Sequence, residues 1–307
     1  MSNIAGLPYE LVMEIFEWSH LADRQSMLVH CLVCQSARRW IQKEFYRVLV
    51  FTCGTQARLF LRTLQTSPAL SRIPNILIFR PGPFPGNKDN EDIVTQEASF
   101  HSVMENCASV HTLSWMISPM KNQPPPMPNL RRLYLWQMQD LAECSIPPTV
   151  THLALMSPYL SLRFSVLFLD RILGDSSITH VAVCVDRGSE SHGVRLCGRL
   201  THRGLPLDQL SVALVNADRN LEATKTIVRA ARSDPRIVPF LIDWTHRRED
   251  PAVPVDSSMD VEYERNSVTT LFGFDVPPPG FTDVWVRAER IRARGLASSS
   301  YPALTVK

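Results

Sequence analysis

Charge of one sign is scarce in this 307-residue sequence: 32 Lys and Arg stand against 30 Asp and Glu, a formal net charge of +2. A nucleic-acid-binding chain would be expected to carry a strongly basic face, and the balance supplies no such surplus. Long apolar runs are missing too. The most apolar one, Tyr159 to Leu169, is too short to span a bilayer and contains Arg163. The N-terminus, MSNIAGLPYELVMEIF, has no basic n-region and places glutamates where a signal peptide would be apolar. Seven cysteines form an odd set without framework spacing, which argues against a disulfide scaffold and for thiols in a reducing compartment. Motifs of catalysis are absent as well: there is no G-x-G-x-x-G, no P-loop lysine motif, no G-x-S-x-G elbow and no H-E-x-x-H. These absences leave a non-enzymatic globular protein of the cytoplasm or nucleus, with no cofactor or metal and neither nucleic acid nor membrane as partner. The 45% hydrophobic content is enough to build a core in a chain of this length.

What is present begins with helical periodicity. Leu7, Leu11, Val12, Ile15 and Phe16 form one stripe of a 3.6-residue period. Pro8 suits a first helical turn, where its missing N–H would be unpaired anyway, and Glu10 follows where a negative charge complements the helix dipole. A second stripe runs through Met27, Leu28, Cys31, Leu32 and Cys34. A third holds Ala37, Trp40, Ile41 and Phe45, with Arg38, Arg39, Gln42, Lys43 and Glu44 opposite. Three short helices cannot bury much by themselves. At ~1.5–3 kcal/mol per fully buried side chain, the first stripe requires a cover, either the rest of the chain or a partner.

LPYELVMEIFEW, CLVC, RRW and FYRVLVF stand in this order along the first 51 residues. The series resembles an F-box, the module by which substrate receptors dock on the Skp adaptor of SCF-type ubiquitin ligases. The resemblance implies a three-helix module whose docking surface is Leu7, Pro8, Leu11, Ile15, Phe16, Val33 and Trp40. Two spacings depart from the family's pattern. EWSHLADRQSMLVH lengthens the link between the first two helices, and QSA sets Arg38-Arg39-Trp40 further from Cys34 than usual. In this stretched form, with its Tyr-Arg-x-Leu-x-Phe exit, the segment is similar to the F-box proteins abundant in mushroom-forming fungi.

Cys31 and Cys34 have the C-x-x-C spacing of a redox pair or half a zinc site. A structural zinc needs four ligands, and the neighbouring candidates His20, His30 and Cys53 are in no paired spacing. A redox pair opens a helix after a strand, and no strand pattern precedes this one. Both cysteines therefore read as packing residues, with a metal- or thiol-dependent enzyme as the remote alternative.

Beyond residue 45 short apolar segments recur in the form L-x-x-L-x-L. They read at Tyr46/Leu49/Phe51, Ile73/Ile76/Ile78, Val110/Leu113/Trp115, Leu130/Leu133/Leu135, Val150/Leu153/Leu155, Ile178/Val181/Val183, Leu207/Leu210/Val212 and Ile237/Phe240/Ile242. Their starts are roughly 20 to 37 residues apart, mostly near the period of leucine-rich repeats. Several follow a proline, as in MPNLRRLYL, PPTVTHLAL and LPLDQLSV. Helical spacing fills the longer intervals, as in TQARLFLRTLQTS, EASFHSVMENC, FSVLFLDRILG and NLEATKTIVRAARSD. Strand, crossover and parallel strand repeated in this way stack into a right-handed solenoid. The alternative is a conventional α/β domain with a parallel sheet.

The expected fold is thus α/β: an F-box-like helical module over 1–48, then an irregular leucine-rich-repeat-like solenoid with parallel strands over 49–246. A linker with a candidate strand follows over 247–281, and a C-terminal helix and tail occupy 282–307. The helix, read from Thr282 to Gly295, turns its arginines Arg287, Arg290, Arg292 and Arg294 to solvent. Two ionisable groupings, His246 with Asp243, Glu249 and Asp250, and Ser191 beside His192, lack the spacing of a metal or nucleophile site. The expected function is a non-catalytic substrate receptor that joins the Skp adaptor, and through it a cullin-based ligase, to a target protein. A repeat scaffold that recruits no ligase is the competing expectation.

Overall fold

The apolar segments become strands because residues alternate between two faces at a period of two, and one of those faces is buried. The computed structural model describes residues 35–79, 93–115, 125–136, 146–156, 177–185, 209–215, 229–231, 233–234, 236–242, 262–264 and 284–297. Helix α1 (Gln35–Arg47) runs straight into strand β1 (Val48–Phe51), and α2 (Gly54–Thr66) and a 3-10 turn (Pro68–Arg72) lead to β2 (Ile76–Phe79). Then come α3 (Ile93–Asn106), β3 (Thr112–Trp115), β4 (Arg132–Trp136), β5 (His152–Met156), β6 (His180–Val185), β7 (Gln209–Val215), β8 (Ile237–Ile242), β9 (Glu262–Glu264) and α4 (Val284–Ala297). Among the described residues the strands form one nine-stranded sheet in sequential order, every neighbouring pair parallel. The architecture is α/β. Among the described residues no helix is long and apolar enough to cross a membrane.

Register runs through one row of aliphatic side chains: Leu49, Leu77, Leu113, Leu133, Leu153, Val181, Leu210 and Ile237 are cross-strand partners in turn. Phe51, Phe79, Trp115, Leu135, Leu155 and Val183 make the next row on the same face; this row, and the first row from Leu49 to Val181 together with Ile237, belong to the core. Helices α2 and α3 close this face. Ala57, Phe60 and Leu64 of α2, and Phe100, Val103 and Met104 of α3, recur at helical spacing and are buried in the same cluster. Phe79 is the hub, with ring centroids 5.5 Å from Phe51, 4.6 Å from Phe100 and 5.4 Å from Trp115.

Six of the eight sequence triplets lie in the observed phase, and two do not. At β2 the reading Ile73/Ile76/Ile78 is displaced: Leu77 and Phe79 face the core, while Ile76 and Ile78 lie on the other face. The run ILIF is apolar at every position, so alternation cannot set its phase, and pairing with Leu49 and Leu113 decides. At β8, Ile237 takes the place of Leu210, three residues later than the triplet implies. β9 was not legible, because two of its three residues are glutamates.

The approach to β3, β4, β5 and β8 is a tight turn. Backbone N–H groups of Val110, Leu130, Val150 and Ile237 donate to the carbonyls of Cys107, Met127, Pro147 and Asp234. Pro128 and Pro148 take the second position of their turns, where their fixed φ is favoured. Polar side chains in these turns satisfy the preceding turn. Ser109 donates to the Pro74 carbonyl (3.0 Å), Asn129 to Ala108 (2.9 Å), Thr149 to Met127 (3.4 Å) and Ser177 to Val150 (3.0 Å). At the starts of β3, β4, β5 and β6 one carbonyl accepts two successive N–H groups. Asn75 serves His111 and Thr112, His111 serves Arg131 and Arg132, Arg131 serves Thr151 and His152, and Thr151 serves Thr179 and His180. Few backbone groups at these strand starts are left to pair outside the ladder.

Cys107 opens the first of these turns inside the core, fully buried, and burial pushes its thiol up to about 12. Only the thiolate is a good nucleophile, so Cys107 is expected to resist alkylation in the native state and to react only as the chain unfolds. Peptide-resolved iodoacetamide labelling with and without denaturant checks this, with half-buried Cys53 as the internal comparison. Labelling of Cys107 as fast as Cys53 under native conditions would contradict it.

Candidate functional site

Of the residues expected to meet the adaptor, Leu7, Pro8, Leu11, Ile15, Phe16 and Val33 lie outside the described residues, as do Cys31 and Cys34. Trp40 falls on α1, the helix expected to carry it. Around that position the helix is amphipathic. Ile41 is buried at 1% exposure and Tyr46 packs against the core, whereas Arg38, Arg39 and Lys43 are exposed. The groupings around His246 and Ser191 also lie outside the described residues.

The structure assembles a different constellation on the sheet face opposite the main core. Its first row reads Ile76, Thr112, Arg132, His152, His180 and Gln209, one residue per strand in register. The second row is Ile78, Ser114, Tyr134, Ala154, Ala182 and Ser211. From Thr112 to His180 the first row is half-buried, and from Ile78 to Ala182 the second is fully buried.

At the centre, His152 and His180 stack with centroids 4.1 Å apart and planes within 8° of parallel. Each ring is oriented by the threonine before it. The Thr151 hydroxyl lies 2.8 Å from His152 Nδ1, and the Thr179 hydroxyl 2.7 Å from His180 Nδ1. Each hydroxyl also donates to the backbone of the preceding strand, Thr151 to the Arg131 carbonyl and Thr179 to the Thr151 carbonyl. A hydroxyl has one proton. Directed at the carbonyl, that proton leaves the oxygen to accept from an Nδ1–H; directed at the ring, it is accepted by Nδ1. Burial first, then the neighbouring His180 and Arg132, pulls His152 down to about 3, so its imidazole is neutral near pH 7.

Trp285 of α4 completes the cluster. Its indole N–H donates to the Tyr134 hydroxyl at 2.9 Å, both side chains being buried. The indole meets His152 edge to face at 5.0 Å and His180 at 6.1 Å. Ala288, one turn further along α4, is fully buried as well, while Glu289 and Arg290 are exposed. The helix read as solvated on its arginine side therefore has a buried edge that the sequence reading did not assign. A signal existed: THLAL at 151–155 and THVAV at 179–183 repeat Thr-His at equivalent strand positions. The partnership of Tyr134 with Trp285, 151 residues apart, had none.

Chemically the cluster brings together a neutral His152 imidazole, a second imidazole, a phenol, an indole and hydroxyls, with hydrogen-bonding groups at a buried edge. Among the described residues no group of three or more His, Cys, Asp or Glu converges as a metal ion would require. No protein-family model, curated protein or solved structure matches the chain.

Proposed function

We propose that the chain is the substrate-recognition subunit of an SCF-type ubiquitin ligase, docking on the Skp adaptor through its N-terminal segment and holding a target protein on its repeats. The observation that carries this is the ordered series LPYELVMEIF, CLVC, RRW and FYRVLVF. Two features of the fold support it. The helix bearing Arg38, Arg39 and Trp40 leads into the sheet without an intervening residue, and a sequential parallel sheet with turn-linked strand starts suits a leucine-rich-repeat-like solenoid. Catalysis then belongs to other subunits of the ligase, and this chain acts by positioning.

The test is co-purification with a Skp adaptor, wild type against a variant carrying Leu7→Ala, Pro8→Ala and Phe16→Asp. Wild type is expected to bind. Truncating Leu11 or Phe16 alone is expected to weaken binding by ~1–3 kcal/mol if each is a central anchor, and the triple variant should abolish it. A well-folded wild-type chain that does not bind would overturn the receptor reading and leave a repeat scaffold.

A further inference from the structure

Trp285 is buried to 1% exposure, yet it stands apart from the main core on the other face of the sheet. Its surroundings are polar and directional: one phenol oxygen accepts the indole N–H, and two imidazoles meet the ring edge to face. A buried donor matched to a buried acceptor discriminates against any side chain that cannot supply it, and tryptophan and tyrosine are among the residues most often found at the centres of binding energy. We propose that the Tyr134, His152 and His180 cradle is the docking site for a tryptophan-bearing amphipathic helix of the target protein, and that the chain's own α4 fills this site until a target displaces it. This rests on the receptor reading above and names its target-binding face.

The occupant is specified by what already sits there. Trp285 and Ala288 lie three residues apart on one side of α4 and are buried, while Glu289 and Arg290 are exposed. The partner is accordingly a helix with a tryptophan, a small residue one turn later and a polar outer side. Tethering α4 to the sheet gives it an effective concentration on the order of millimolar, so a free helix of equal intrinsic affinity competes poorly until α4 is released.

The test uses the full chain and a fluorescein-labelled peptide of residues 282–298, read by anisotropy. Two release variants are compared with wild type: Trp285→Ala, and Ala288→Glu, which unseats α4 without touching the cradle and keeps the test readable if the first does not fold. The peptide is expected to bind each folded release variant at least tenfold more tightly than wild type. A peptide carrying alanine in place of tryptophan should lose that binding, and adding Tyr134→Phe to a release variant should weaken it several-fold. Equal affinity for wild type and release variants, absence of binding to folded release variants, or equal binding of the alanine peptide would each overturn the proposal. Adaptor co-purification separates the two readings. Release variants that keep the adaptor but not the peptide refute the docking site alone, and those that keep the peptide but not the adaptor refute the receptor assignment alone.

Discussion

Replacing Phe79 by alanine is expected to destabilise the protein by about 3–5 kcal/mol, the range for a fully buried phenylalanine whose site cannot collapse. Phe79 is 0% exposed and touches three aromatic rings from different elements: Phe51 of β1, Phe100 of α3 and Trp115 of β3. Each is itself buried and held by backbone pairing or helical packing, so none can swing into the void. A domain stable by roughly 5–15 kcal/mol loses a large share of that margin. Urea denaturation at neutral pH reads the effect as a fall in the midpoint at constant m-value. Leu59→Ala, at a position 54% exposed on α2, serves as the control and should stay within about 0.5 kcal/mol of wild type. A loss below about 1 kcal/mol for Phe79→Ala would mean that the aromatic hub is not the centre of the core.

Acid should weaken the fold through the other face. The folded state holds His152 at about 3, against its usual 6.5. Between those values the unfolded chain takes up a proton that the folded chain refuses, so stability rises with pH across the window. The contribution is fully present above about 6.5 and is lost progressively as pH falls toward 3. One proton sets a ceiling of ~1.4 kcal/mol per pH unit, and the partial exposure of the ring reduces the realised loss between pH 6.5 and 5 to about 1 kcal/mol. That corresponds to about 2–4 °C in Tm for a chain of this size class. His101, pulled down by burial against the opposing pull of Glu105, adds to the same slope. Urea midpoints at pH 7.5, 6.5 and 5 should therefore fall for wild type, and His152→Gln should flatten the fall although its starting stability is lower. An undiminished slope in His152→Gln would remove the histidine pair from the account of acid sensitivity.

The two faces of the sheet were unequally visible in the sequence, for a physical reason. The core face is written locally. In LRRLYL and VTHLAL polar residues separate the aliphatic ones, so alternation fixes which side each takes, and β4 and β5 lie where that pattern puts them. ILIF carries no such contrast, and β2 takes its phase from its neighbours. At β8 the turn Asp234–Ile237 delivers its last residue directly into the ladder, so the strand begins earlier relative to its turn than in β3 to β5. The Trp285 cradle is written non-locally. Its members come from β4, β5, β6 and α4, and no periodicity within any one of them signals the others. Leu7 and Phe16, proposed to dock on the adaptor, show locally as part of a stripe in need of a cover, and the role proposed for them comes from the F-box resemblance.

The continuity of α1 and β1 has a mechanical meaning. Arg47 is the last helical residue and Val48 the first of the strand, and the Arg47 carbonyl also accepts the Asn75 N–H that leads into β2. The joint is clamped from two sides, so a body gripping α1 holds the sheet as one grips a ruler at its end, with no slack in the handle. Eight steps of ~4.8 Å separate β1 from β9, about 38 Å along the mid-line of the sheet. Cargo seated over β4 to β6 would lie near the middle of that scale, at a fixed distance from the grip rather than on a swinging tether.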